Sequence, residues 1–231
     1  MQTTTVKLVI FDCDGVLIDS EVLSMEAWQE VLTDYNISLS KQYFIDHFLG
    51  KSVEHVEKIL TTHFCFELTD AVIEGFHALL YEKFEHSLRR TPGVINVLSN
   101  LDAHNIPYCV ATSSSPERTT KALKSTGLFS YFEGRIFTRS MVKNGKPAPD
   151  LFLHAAATMG IKPENCLVIE DSQPGLAAAV AAKMNSFHFT GGAHLHSDIK
   201  AGTTNDSKSL NSWDEFYSLL PDIFDARKIN E

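Results

Sequence analysis

The stretch VKLVIFDCDGVLIDSE, residues 6–21, decides the fold. Its run from Leu8 to Phe11 is apolar without alternation, the pattern of a strand buried on both faces of a parallel sheet. The run ends at once in Asp12, Cys13, Asp14 and Gly15. Two carboxylates one residue apart raise the cost of ionising each other, so positive charge must offset them or the pair shifts toward protonation. Residues i and i+2 of an extended segment share a side, so Asp12 and Asp14 face one volume. Cys13 between them reads as a packing residue, because both acids oppose thiolate formation.

Outward from that stretch the period changes. Val22, Met25, Trp28, Leu32 and Tyr35 recur at three- and four-residue steps from Ser20 onward, predicting an amphipathic helix that buries Met25 and Trp28. Helical patterns also cover 41–48, 53–64 and 71–84, and no strand is expected before residue 105. A strand–helix rhythm then resumes. Thr91 is expected to cap a helix with Pro92 in its first turn, and IPYCVAT reads as a strand. SSPERTTKALKSTG is a helix capped by Ser115, started by Pro116 and stopped by Gly127. RIFT is a strand, PDLFLHAAATMG a helix, CLVIED a strand, PGLAAAVAAKM a helix and SFHF a last strand. This alternation predicts an α/β fold, a doubly wound parallel sheet. The expected division is an α/β core of residues 1–18 and 90–231, with an all-helical block, 19–89, inserted after the first strand. The first five residues and the tail DARKINE read as loosely held.

The chain's 231 residues suit one large domain or one domain plus an insertion. A net charge of −9 argues against a nucleic-acid surface, and an anionic substrate would need a local cation. The four cysteines, Cys13, Cys65, Cys109 and Cys166, form no C-x-x-C pair and read as reduced core thiols of a cytoplasmic protein. No apolar run approaches the roughly 18–20 residues of a membrane span, and MQTTTVK lacks a signal peptide's apolar stretch. No membrane partner is expected. Nothing predicts an obligate interface, which leaves a monomer or weak dimer.

Open parallel sheets bind ligands beyond the carboxyl ends of their strands. Those ends carry Asp12 and Asp14; Thr112 with Ser113 and Ser114; Lys146 in the loop NGKPAPD; and Glu170 and Asp171, followed by Ser172. Four carboxylates converging on one volume need a cation, and all-oxygen ligation favours Mg²⁺ over zinc. A carboxylate held beside Mg²⁺ can attack a phosphoryl group and form an acyl phosphate. Phosphoryl transfer further requires cations on the non-bridging oxygens, a hydroxyl to fix one of them and an acid for the leaving oxygen. Mg²⁺, Lys146, Thr112 and Asp14 supply these, with Asp14 returning as base to deprotonate water. NGKP is no nucleotide loop, since Pro147 stands where Ser or Thr is needed. His194 and His196 read as solvent-facing loop residues. Signalling receivers also place Asp, Thr and Lys at strand ends, but they are about half this length and have no use for Asp14.

The motifs DCDGV, ATSSS, KPAPD and IEDSQPG, in this order, resemble the haloacid dehalogenase superfamily of phosphatases, in the branch with a helical cap. The resemblance covers residue 6 to about 190. It implies Asp12 as nucleophile, Asp14 as general acid/base with its carbonyl on Mg²⁺, and Lys146 neutralising nucleophile and phosphate. It further implies that Thr112 and the Ser113 N–H orient the phosphate. Asp171 is implied as a metal ligand, Glu170 as a ligand directly or through water, and Gly15 as the turn toward the cap. The cap-loop residues Gly50 and Lys51 are implied to face the reacting phosphate. Asp14 speaks against the dehalogenases, which have no leaving oxygen to protonate. The cap helix EVLSMEAWQEVL has no lysine for a phosphonate-cleaving Schiff base. A β-phosphoglucomutase-type mutase is the alternative, but Ser24 stands where that type carries histidine and Val53 where it carries arginine. DSE at 19–21 and FHFTGGAH resemble sugar-phosphate phosphatases, including the 6-phosphogluconate type. The expectation is a Mg²⁺-dependent hydrolase of a small phosphorylated metabolite, a sugar phosphate or phosphosugar acid.

Overall fold

The computed structural model describes residues 6–49, 51, 53–193 and 208–220. Six strands form one sheet: β1 (Leu8–Phe11), β2 (Tyr108–Thr112), β3 (Ile136–Thr138), β4 (Cys166–Glu170), β5 (Asn185–Phe189) and β6 (Lys208–Leu210). All pairings are parallel and the order is β3-β2-β1-β4-β5-β6. Strand order reverses beside β1, so the ends of β2, β1 and β4 border one crevice. In that register Phe11 pairs with Ile169, which leaves Asp12 and Glu170 level with each other as the next residues.

Between β1 and β2 run α1 (Glu21–Thr33), α2 (Lys41–His47), α3 (Val53–Phe64), α4 (Asp70–Ser87) and α5 (Val94–Ala103). After β2 come α6 (Pro116–Ser125) and α7 (Phe129–Phe132), after β3 α8 (Asp150–Thr158), after β4 α9 (Gln173–Ala181) and after β6 α10 (Trp213–Leu219). β1 divides its side chains between two cores, because strand residues alternate faces. Leu8 and Ile10 pack with residues of α8 and α9; Val9 and Phe11 pack with those of α5, α10 and the helices of the insertion. The chain leaves the sheet at Gly15, whose φ of 77° is the left-handed turn that glycine tolerates best. It returns alongside itself, with Asp19 N–H donating to Arg89 O at 2.9 Å and Thr91 N–H to Leu17 O at 3.0 Å.

Several expectations need correction. SFHF is not the last strand: β6 and α10 follow it, and Trp213 of α10 stacks on Phe189 with ring centroids 4.5 Å apart. Thr91 does not cap α5. Gly93 occupies that position with φ 92°, while the Thr91 hydroxyl donates to Val16 O at 2.7 Å and accepts from Trp213 Nε1 at 2.8 Å. The buried face of α1 is Leu23, Ala27, Trp28, Val31 and Leu32 rather than the expected stripe; Met25 is only partly buried and Tyr35 lies exposed beyond the helix end. Cys13, Cys109 and Cys166 are buried, but Cys65 is exposed, so it is no core thiol. Ser115 caps α6 as expected, accepting from Arg118 N–H at 3.3 Å. Residues 1–5, Gly50, His194, His196 and the tail DARKINE lie outside the described residues. Among the described residues no helix is long and apolar enough to cross a membrane.

Candidate active site

Asp12, Thr112 and Glu170 sit at or just past the ends of β1, β2 and β4, all buried, because the strands that carry them are central in the sheet. Lys146 reaches them from the loop before α8. Its Nζ donates to Asp12 Oδ1 at 2.7 Å and to Glu170 Oε2 at 2.8 Å, with the side chain only 4% exposed. Glu170 Oε1 accepts from both the N–H and the hydroxyl of Ser172, which also caps α9 by accepting from Gly175 N–H. A Cβ on Gly175 would lie 2.0 Å from Glu170 Cδ, so that carboxylate can lie where it does only over a glycine. Gly175→Ala should therefore displace Glu170 and cost about 1–3 kcal/mol of stability, read by thermal melting.

One carboxylate oxygen from each of Asp12, Glu170 and Asp171 lies within 4.8 Å of the others. One ammonium cannot balance three carboxylates, two of them buried and Asp171 half-buried. Burial first, then Glu170, with Asp171 and Asp14 adding, holds the Asp12 carboxyl well above its usual range despite Lys146. Burial and then Glu170 do the same to Asp171. An oxygen-only cluster short of positive charge fits a hard divalent cation. The Cys13 thiol is pushed well up by burial and then by Asp14 and Asp12, which keeps it neutral, in keeping with a packing role.

Asp14 is held by different partners. Ser114 Oγ donates to it at 2.6 Å, Arg118 Nη2 at 3.0 Å, and the Ser20 hydroxyl closes the set. Burial would raise its pKa, but the Arg118 charge and these hydrogen bonds outweigh burial and leave it below the ordinary value. Asp14 is thus a carboxylate in this arrangement, the form required of a base. Thr112 Oγ1 accepts from Ser114 N–H at 3.1 Å.

Asp12, Asp14, Thr112, Ser114, Arg118, Lys146, Glu170, Asp171 and Ser172 open onto one cavity of about 370 Å³, walled on one side by strand ends and on the other by residues of α1, α3 and α4. Ser113 and Lys51, both expected site residues, also line it, as do Trp28 and Val53. Trp28 was expected to serve only as core. It is buried, stacked on Phe76 at 4.0 Å, and yet forms cavity wall. Three contributors went unassigned in the sequence. Ser20 marks a helix start and Glu21 belongs to a short motif in the sequence, while Arg118 falls within the helix SSPERTTKALKSTG with no role of its own. The available signal was Arg118's place in the first turn of a helix that starts four residues after Thr112.

Residues 6–183 match the haloacid dehalogenase-like hydrolase family. The chain is 30% identical over 222 residues to the phosphorylated carbohydrates phosphatase of Thermotoga maritima, covering 94% of this chain and 99% of that one. It is 27% identical over 190 residues to the 6-phosphogluconate phosphatase of Escherichia coli, covering 82% and 85% respectively. A haloacid dehalogenase family hydrolase of Deinococcus radiodurans, solved with bound phosphate and sodium, superimposes with a TM-score of 0.76 at 27% identity over 95% of this chain and 97% of that one. With its four motifs gathered around one cavity and most of its length matched, the chain belongs to the haloacid dehalogenase-like hydrolases.

Proposed function

We propose that the chain is a Mg²⁺-dependent phosphatase that hydrolyses a small phosphorylated metabolite, a sugar phosphate or phosphosugar acid, through an aspartyl phosphate on Asp12. That it is a phosphoric monoester hydrolase follows from its family and its phosphatase relatives. The observation that carries the rest is the Lys146 ammonium bridging Asp12 and Glu170 beside Asp171, a nucleophile–cation cluster with room for a metal. Asp12, Asp171 and Glu170 would hold Mg²⁺ with the Asp14 carbonyl, and the ion would supply positive charge to the phosphoryl oxygens and the nucleophile.

Asp12 attacks phosphorus through a carboxylate oxygen, and the leaving alkoxide departs with a proton from Asp14. Asp14 then takes a proton from water, which attacks the same phosphorus and frees Asp12. The ionised state of Asp14 supports the second step. Donation in the first requires Arg118's hold to slacken as the ester fills the cavity. Thr112 Oγ1 and the Ser113 N–H orient the phosphoryl group, and Lys146 offsets charge on it and on Asp12. Residues 19–89 act as a cap over the 1–18 and 90–231 core, excluding water until the acyl phosphate forms. Lys51, which lines the cavity, belongs to the cap loop facing the substrate. Ser24 and Val53 both line the cavity where the mutase resemblance calls for histidine and arginine, which favours hydrolysis over isomerisation.

Phosphate release from a panel of sugar, polyol and sugar-acid phosphates with Mg²⁺, alongside an assay for glucose 6-phosphate formed from the β-1-phosphate, tests this reading. Release without isomerisation is expected; isomerisation alone contradicts it. Mg²⁺ at a hundred times its dissociation constant should stabilise the fold by about 2.7 kcal/mol. For a chain of this size that is a rise of roughly 5–10 °C in melting temperature. Protons compete with the ion for Asp12 and Asp171, which burial and the Glu170 charge make hold protons further up the scale than an ordinary carboxyl, so the rise should shrink as pH falls.

A further inference from the structure

Arg118 stands apart from the cluster around Asp12, in the first turn of α6. Its side chain is 16% exposed and lines the cavity. One donor binds Asp14, while its Nε–H is buried without an acceptor. A buried donor left unpaired is costly, and a ligand acceptor would recover that cost. The inserted helices meet Arg118 from across the cavity. Glu21 of α1 acts electrostatically on the guanidinium, and the Phe84 ring of α4 lies 6.0 Å from its central carbon. Ser24, three residues after Glu21 and therefore on the same helix face, is buried and lines the same space, with Trp28 as an apolar wall.

This is the end of the cavity from which the leaving oxygen departs, since Asp14 belongs to it. Its groups are mixed: Arg118 donates, Glu21 accepts and Ser24 does both. Its charges are balanced, Arg118 and the exposed Lys51 against Asp14 and Glu21. Of the other two cations of the lining, Lys146 is bonded to Asp12 and Glu170, and Arg139 is engaged with the carbonyls of Val142 and Lys143. A hydroxyl both donates and accepts and so matches such a set, with its C–H face against the Trp28 ring. A carboxylate only accepts, and here it would become a third anion beside Asp14 and Glu21.

Building on the phosphatase reading, we propose that Arg118, Glu21 and Ser24 form the leaving-group subsite and select phosphate esters of neutral polyhydroxylated alcohols over phosphosugar acids. The test compares kcat/KM for glucitol 6-phosphate and 6-phosphogluconate, linear six-carbon esters that differ by a hydroxymethyl against a carboxylate. It uses the wild-type protein and Glu21→Gln with Mg²⁺, with folding followed by circular dichroism. The expected results are at least a tenfold preference for glucitol 6-phosphate and at least a threefold fall of that ratio in Glu21→Gln, whose amide no longer repels the acid. Equal or better hydrolysis of the acid overturns the subsite, as does a ratio unmoved in the folded variant. Release from other monoesters but from neither of these two overturns it as well. If the variant does not fold, the wild-type ratio decides alone. Failure to hydrolyse any phosphate monoester would instead sink the phosphatase reading.

Discussion

Asp12→Asn should lower phosphate release by a factor on the order of 10⁴ while leaving the protein folded, because an amide keeps the shape of the carboxylate but cannot attack phosphorus. Its oxygen can still accept from Lys146, which sits 2.7 Å from Asp12 Oδ1. The stability change carries a sign opposite to that of a damaged core. Burial and the Glu170 charge hold the Asp12 carboxyl well above its usual range, so the folded protein binds this proton more tightly than the unfolded chain does. Such a group subtracts stability as pH rises from the ordinary carboxyl value through the raised one. Asparagine removes that loss. At neutral pH without divalent metal the variant should melt at or above the wild-type temperature, and its rise on adding Mg²⁺ should be smaller. Retention of more than a few per cent of wild-type turnover would remove the covalent mechanism.

Lys146→Met should be the most destabilising single change at the site and should also abolish turnover. Methionine fills most of the volume but removes the only cation bonded to Asp12 and Glu170 among the described residues. Breaking a buried ion pair from one side costs about 3–5 kcal/mol, because the partners keep their burial and lose their counter-charge. In a chain of this size that corresponds to a fall of roughly 6–20 °C in melting temperature. Burial lowers the Lys146 pKa, but Asp12 and Glu170 more than reverse this and raise it above the usual lysine value. Its stabilising contribution is therefore complete at every pH below the unfolded lysine value and persists through neutrality. Mg²⁺ should restore part of the stability and none of the turnover. A variant that melts like wild type without metal would show that the cluster does not depend on this ammonium.

The sheet was legible where strands are short, wholly apolar and bounded by acids or turns. β1, β2 and β4 carry fully buried residues throughout, and their ends converge because parallel neighbours must align there. β6 was not legible: its three residues, Lys208 to Leu210, bury only Leu210, too little for any period to register. The α1 stripe failed for a physical reason. Periodicity assumes that polar residues face water, whereas Glu21 and Ser24 are buried toward the cavity and rotate the apparent apolar face. Thr91 carried good capping chemistry, but its hydroxyl is engaged by Trp213, a partner 122 residues away that no local window reveals. Arg118 was hidden in the same way, since its role depends on Asp14, which lies 104 residues earlier. Motif residues could be placed by strand order alone; the groups that surround them depend on how the inserted helices lie against the sheet.

The most direct measurement of the central claim is to trap the covalent state. Wild-type protein with Mg²⁺ and an ester it hydrolyses would be quenched within a single turnover and reduced with borohydride, which converts an aspartyl phosphate to homoserine. Mass spectrometry of the peptide around Asp12 should find homoserine at position 12 and at no other aspartate, dependent on both ester and metal. Stoichiometric phosphate release with Asp12 unmodified, or with the label at another aspartate such as Asp171, would contradict the account.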